Sequence, residues 1–432
     1  PFPCQRQQMA QQDMKAETSA AAGIATRSGR WQTFSALRYP DYRNLWVASA
    51  FISCGNQIQQ ITMGWLVLQL TGSPFWVGTV LGIRALPILL VGPLAGVAVD
   101  RIDRKKLFLF AQLFLFILVF LFALDVHFAR VTLLHTIVFS FLLGLDASLN
   151  QPVRQALIVN TVLPKDLTNA IALNNAANGI VQSITPLVSG VLIAVLGVSG
   201  NFFIQSAAYL AVFFVILPMS TPYREATVGP ASVGQNVMEG VRHIRGDLTL
   251  LLLIILVFIP SLFIHSTQNL LSVFAVNVLQ GGPLVLGLLG ACMGIGSLVA
   301  TFVIASLGNF QARGRLNMGS IILVTVVLTF FGLSSHLALS LVLIGVLGFF
   351  NTSFRLANNA LVQSRIPDAL RGRITSIYVI DHGFQPVGSL LLAFLAEDGV
   401  LGVQKAVVLA GIVAFAVTAY IGLRYRQLWS LK

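Results

Sequence analysis

The stretch DRIDRKKLFLFAQLFLFILVFLFAL, Asp100–Leu124, crowds six charged residues into its first seven positions and then runs almost unbroken apolar to its end. About 20 apolar residues are needed to cross the hydrocarbon of a bilayer, whereas a core strand usually takes about 5–6. The apolar part therefore reads as a membrane-spanning helix, and the charged part as the turn that feeds it. Upstream, in LGIRALPILL, Arg84 sits among apolar neighbours. A charge at the centre of a spanning helix costs roughly 2.5–3.5 kcal/mol on insertion scales, so Arg84 demands a partner.

Composition extends this reading to the whole chain. Of 432 residues, 56% are hydrophobic and 10% charged, with mean hydropathy +0.84. A soluble domain carries about 25% charged residues, so a water-soluble globule is excluded. A transmembrane barrel would need short alternating strands, and the sequence lacks them. The net charge of +12 invites a nucleic-acid reading, but no basic domain exists; the charges punctuate apolar segments. Cys4, Cys54 and Cys292 imply no disulfide framework. Hydropathy and turn signals predict an all-α polytopic membrane protein of about twelve helices.

The 27 Lys and Arg fix its topology. All but Arg84, Arg130 and Lys405 fall in the tails or on the side of the chain's start, which by the positive-inside rule makes both termini cytoplasmic. The chain also repeats itself. LPKDLTNAIA from Leu163 resembles IPDALRGRITS from Ile366, and TPLVSGVLIAVLG from Thr185 resembles QPVGSLLLAFLAEDG from Gln385. This spacing predicts two parallel six-helix halves. The expected organisation is a disordered tail over 1–36, an N-terminal bundle over 37–219, a linker over 220–247, a C-terminal bundle over 248–424, and a second tail over 425–432. Within the linker, apolar residues at 233, 237, 241 and 244 behind a Ser232/Gln235 capping box predict a short helix on the membrane surface.

GVAVDRIDRKK, Gly96–Lys106, resembles the helix 2–3 signature of the major facilitator superfamily. LRYPDYRNLWVASAFISCGNQI, LTGSPFWVG, IRALPILL, NQPVRQALI, LTNAIALNNAANGI and RGRITSIY resemble, in order, its enterobactin-exporter and macrolide-efflux branch. Asp103 departs from the superfamily's usual Gly, and Asn150 from a frequent Asp. The resemblance implies the major facilitator fold and a gating motif of Gly96, Asp100, Arg101 and Arg104, with Asp100 set against the start of helix 11. It also implies a cavity lined by helices 1, 4, 7 and 10.

Polar residues at helical spacing on those four helices are the candidate cavity: Asn56 and Gln60, Asn150, His265 and Gln268, and Asn351. Such stripes also serve as interhelical glue. The intramembrane ionisable groups Arg84, Asp146 and Asp381 are candidates for proton coupling or for a buried ion pair, Asp146 before Asp381. Arg154 and Arg355 read as snorkelling residues near helix ends. Neither a zinc motif, a nucleophile elbow nor a P-loop lysine occurs, so no catalytic residue, metal or cofactor is expected. The reading is a secondary active transporter of the cell membrane: a proton-coupled exporter of small amphiphilic molecules of drug, macrolide or siderophore type, working by alternating access. Its expected partners are that substrate, protons and the bilayer, with no nucleic acid, and the chain is expected to be a monomer. The alternatives are a facilitator or importer of the same fold, or a transporter-like receptor.

Overall fold

The computed structural model describes residues 32–88, 90–91, 103–220, 242–307, 312–366 and 381–431, and among them every regular element is helical. The first helices are α1 (Pro40–Thr71), α2 (Pro74–Ile83, resuming past Arg84), α3 (Arg104–His127) and α4 (Leu133–Thr161). The element Leu167–Ile216 bends at Gly197, where φ is 72°, and divides into α5 (167–196) and α6 (198–216). A left-handed backbone of this kind suits glycine alone, so one residue replaces a loop. The second half holds α7 (248–278), α8 (Pro283–Leu307), α9 (Arg313–Leu333), α10 (Leu337–Arg365), α11 (Asp381–Leu395) and α12 (Val403–Arg424).

Eight helical stretches among the described residues are long and apolar enough to span a bilayer. The twelve expected helices are nevertheless all present. The bent pair over 164–216 makes a single stretch, while α2 and α11 have their described parts shortened. The remaining helix, α1, is 32 residues long and is diluted by its Ser, Asn and Gln.

Local chemistry sets several helix ends. Asp103 caps α3, accepting from the backbone N–H of Lys105 at 2.9 Å and Lys106 at 3.3 Å. Asp247 does the same for α7 through Thr249 (2.8 Å) and Leu250 (3.2 Å). These caps satisfy N–H groups that a helix cannot pair internally. The turn at Arg84 has a cause three residues on: Pro87 lacks the N–H that the Ile83 carbonyl would otherwise accept. In α7, π-helical turns at Pro260–Ile264 and Phe274–Val278 flank the segment His265–Asn269.

One core of buried side chains runs through both halves, and a smaller one lies in the N-terminal half around Tyr42, Phe108, Leu157 and Ile216. Outward-facing Phe110 (69% exposed) and Leu423 (73% exposed) belong to the apolar belt that meets lipid. Residues 1–31 and 221–241 lie outside the described residues, and with them most of the expected surface helix. Gln32–Arg38 forms a 3-10 helix whose Ala36 is buried. At the other end Arg426–Ser430 is also 3-10, with Leu428 buried. Both ends of the described chain lie on one face, called here the terminus face.

Candidate functional site

The two halves meet along two seams at the face opposite the termini. At the α5–α8 seam, a Cβ added to Gly287 would stand 2.7 Å from the Pro186 carbonyl oxygen and 3.0 Å from the Gly190 Cα. Only glycine permits backbones this close. At the α2–α11 seam, Gly78 lies against Ala393 and the Ser389 backbone. There the Glu397 carboxylate, just past α11, crosses to the start of α2. It accepts from the Ser73 hydroxyl and from the Phe75 N–H at 3.0 Å. A carboxylate at a helix N-terminus also meets the positive end of the helix dipole. This face is closed.

Behind the seams lies a cavity of about 570 Å³, within the 300–1,000 Å³ range of small-molecule sites. Its wall comes from both halves: Gln57 and Gln60 of α1, Asn175, Asn178 and Gln182 of α5, His265, Gln268 and Asn269 of α7, and Asn351 and Arg355 of α10. Ile61, Leu81, Leu286, Met293 and Leu356 supply apolar surface between the amides. The wall continues toward the terminus face through Asn175, Thr301 and Leu356. Gln60 donates to Asn269 across the halves at 3.2 Å, and Asn269 donates to Ser389 at 2.7 Å. Gln268 donates to the Met293 sulfur at 3.2 Å. Ser53 donates to the Asn178 carbonyl oxygen at 2.6 Å, which leaves the amide N–H groups of Asn178 as donors.

A second, smaller cavity of about 100 Å³ lies wholly inside the N-terminal half. It is lined by Asn56, Arg84, Asp146, Asn150, Arg154 and Tyr209, among others. The Arg84 guanidinium donates to Gln59 Oε1 at 2.6 Å and to Asn56 Oδ1 at 2.8 Å. Two charge-assisted bonds of about 1.5–3 kcal/mol each match the cost of burying the arginine. Gly144 admits α2 here, since its missing side chain is where the Arg84 carbonyl sits. Asp146 is buried and accepts from Asn150 at 3.3 Å.

These placements separate the residues singled out in the sequence. Gln60, His265, Gln268 and Asn351 meet in the larger cavity; Asn56, Asn150, Arg84 and Asp146 meet in the smaller. The direct Arg84–Asp146 ion pair is absent among the described residues. The side-chain carbonyls of α1 hold the guanidinium instead, and the two charges share a cavity without touching. On α4, His135 pairs with Asp125 at 2.7 Å at the far end, and Phe139 stacks on Phe122 with centroids 3.9 Å apart, so neither lines a cavity. Arg154 and Arg355 do line cavities rather than merely reaching for a surface. Gly96, Asp100, Arg101 and the Asp381 side chain lie outside the described residues. Arg104 opens α3, beside its Asp103 cap.

Sequence reasoning missed the α5 wall and Glu397. The signal for the first was present: Asn175, Asn178 and Gln182 recur at the same three- and four-residue steps as the stripe on α1.

Two six-helix halves around a shared polar cavity define a major facilitator transporter, which is a multi-pass membrane protein and not an enzyme. The chain belongs to the transmembrane secretion effector family of that superfamily, whose profile matches residues 31–428. It is 26% identical over 382 residues to the staphyloferrin A transporter of Staphylococcus aureus, covering 86% of this chain and 93% of that one. It is 22% identical over 377 residues to macrolide efflux protein A of Streptococcus pyogenes, covering 86% and 92%. Among solved structures, a bacterial homologue of the human lysosomal transporter Spinster, inward-facing and unoccupied, shares the fold with a TM-score of 0.71. That match has 12% identity and covers 93% of this chain and 98% of the other.

Proposed function

We propose that this protein exports small amphiphilic molecules from the cytoplasm by alternating access, driven by inward proton flow. The observation that carries the reading is the cavity of about 570 Å³ shared by both halves, sealed opposite the termini by the Gly190–Gly287 seam and the Glu397 clasp. The Lys and Arg distribution assigns the terminus face to the cytoplasm, so a cavity extending toward that face would load from inside. The host membrane is then the bacterial cytoplasmic membrane, and a single chain holds the whole cavity, so the working unit is a monomer. Exporters among the relatives support the direction of transport.

In this proposal Asp146 carries the proton. Intramembrane ionisable residues are functional by default, and this one shares its cavity with Arg84. A connected route runs onward: Arg84 holds Asn56 and Gln59 of α1, and Gln60, next along α1, holds Asn269 of the other half. Neutralising Asp146 changes the field on Arg84, and through α1 the hold between the halves. Gly96, Asp100, Arg101 and Arg104 act in the same scheme as the cytoplasmic gate, with Asp381 as a second acid.

The test is gradient-driven movement in proteoliposomes, screened against a panel of macrolides, siderophores and dyes. Asp146→Asn should abolish accumulation against a concentration difference while permitting downhill exchange. Unchanged uphill transport in that variant would remove Asp146 from the mechanism. Movement indifferent to the proton gradient would instead identify a facilitator.

A further inference from the structure

Resting on the reading of the larger cavity as the substrate site, we infer that it selects anionic, carboxylate-bearing molecules over cationic ones, with Arg355 as the residue that sets this preference. Arg355 lies on α10 ten residues before the helix ends at Arg365, about 15 Å at 1.5 Å per residue. It lines the cavity, is exposed to it, and has no hydrogen-bond or ion-pair partner among the described residues. An arginine that served only to join helices would be paired, as Arg84 is.

The remainder of the wall agrees in sign. Among the described residues that line the cavity, none is a carboxylate, and the only other titratable side chain is His265. A lipophilic cation entering here would meet a guanidinium with no compensating acid among the described lining residues. An anion would meet the opposite. The guanidinium offers a planar fork of donors matched to a carboxylate. The amide N–H groups of Asn178 on α5, which also lines the cavity, have no hydrogen-bond partner among the described residues and can serve a second acceptor. Leu356 and Met293 give an apolar body a surface to rest on. The ligand that fits is therefore a drug-sized molecule with at least one carboxylate and an apolar or aromatic body.

The experiment compares two dyes of one xanthene skeleton and opposite charge, 5-carboxyfluorescein and rhodamine 6G. Binding to the full chain in phosphatidylcholine nanodiscs is read by fluorescence anisotropy, with empty nanodiscs subtracted. The expected result is that carboxyfluorescein binds at least roughly tenfold more tightly, a difference of about 1.4 kcal/mol. Arg355→Gln should erase that preference, and Arg355→Lys, which keeps the charge, should retain much of it. Equal or tighter binding of rhodamine 6G, binding of neither dye, or a preference surviving in a folded Arg355→Gln protein would each overturn the inference. Should that variant fail to fold, wild-type binding of carboxyfluorescein must weaken between about 50 mM and about 500 mM salt, as screening requires; a flat response overturns it equally.

Efflux from dye-loaded proteoliposomes separates this inference from the reading beneath it. Selective anion binding without gradient-driven movement would sink the exporter and leave the charge preference standing. Gradient-driven movement of rhodamine 6G in preference to carboxyfluorescein would do the reverse.

Discussion

The two cavities are built on opposite rules. The smaller one is enclosed by helices of a single half and contains two guanidiniums and a carboxylate. The larger lies between the halves, and its polar wall is mainly carboxamide, with Arg355 and His265 as its ionisable groups among the described residues. Under the proposed alternating access, the difference follows from what each site must endure when the halves move. A buried charge loses heavily if its partners withdraw, so charges belong where the surrounding helices travel together. A neutral hydrogen bond is worth about 0.5–1.5 kcal/mol net and can be exchanged for water, so amides suit a surface that parts and re-forms. The Gln60–Asn269 bond between the halves is of the second kind.

The sharpest way to break this comparison is to strip the smaller cavity of its held charge. Arg84→Ala should lower stability by about 2–6 kcal/mol, because the Gln59 and Asn56 side-chain carbonyls each lose a charged donor, at about 1–3 kcal/mol apiece, and Asp146 loses one of the two guanidiniums in its cavity. Adding Asp146→Asn should restore part of the loss. Thermal unfolding in detergent measures both, and a double variant no more stable than the single would show that the two groups are independent.

Next in size is the seam that closes the larger cavity. Gly287→Leu should cost about 1–3 kcal/mol through overpacking against Pro186 and Gly190, and should block transport by holding the halves apart. Normal transport by a correctly inserted Gly287→Leu protein would remove the seam from the cycle.

A smaller effect is expected at the bond between the halves. Gln60→Ala and Asn269→Ala should each change transport KM by up to about tenfold, with a coupling of about 0.5–1.5 kcal/mol in a double-mutant cycle. The melting temperature should hardly move, in contrast to Arg84→Ala. An additive pair would mean that the halves do not communicate there.

The smallest effect lies outside both cavities, where Asp166 accepts from the Ser35 hydroxyl at 2.7 Å and the Tyr39 hydroxyl at 2.8 Å. Those bonds hold the Asp166 carboxyl below its ordinary pKa and push the Tyr39 phenol up. A lowered folded-state value favours the folded form above the unfolded carboxylate pKa of about 3.9, and this contribution fades as pH falls through the lower folded value. Protection of the Gln32–Arg38 amides against hydrogen exchange, taken relative to the intrinsic rate at each pH, should therefore be high at neutral pH and fall below about pH 4. Asp166→Asn should show lower protection at neutral pH, with little further loss in acid.

The fold was legible because bilayer physics leaves few choices. A stretch such as 107–124 can only span, and lysines and arginines confined to one side fix which ends face together. The candidate site was legible only in part. Helical spacing found Gln60, His265, Gln268 and Asn351, but spacing gives the face of one helix and not which helix it opposes. Asn56 and Gln60, one turn apart on α1, thus ended in different cavities. Arg84 was rightly marked as needing partners, yet the choice between a distant carboxylate and two nearby carbonyls depends on how closely α2 crosses α1 and α4. Glu397 gave no sequence signal, since an acid in a short turn looks like any solvated loop residue until a helix start is found beside it.

The bend at Gly197 has a counterpart in every connection on its side of the protein. The links between helices there are residues 72–73, 128–132, Gly197, 279–282, 334–336 and 396–402, and the longest has seven residues. An antibody or protease approaching from that side would find almost no chain to grip. Labels for reporting on that surface have their most room at 396–402, where an insertion would also disturb Glu397. Soluble macromolecules that act on this transporter must therefore do so chiefly from the terminus face.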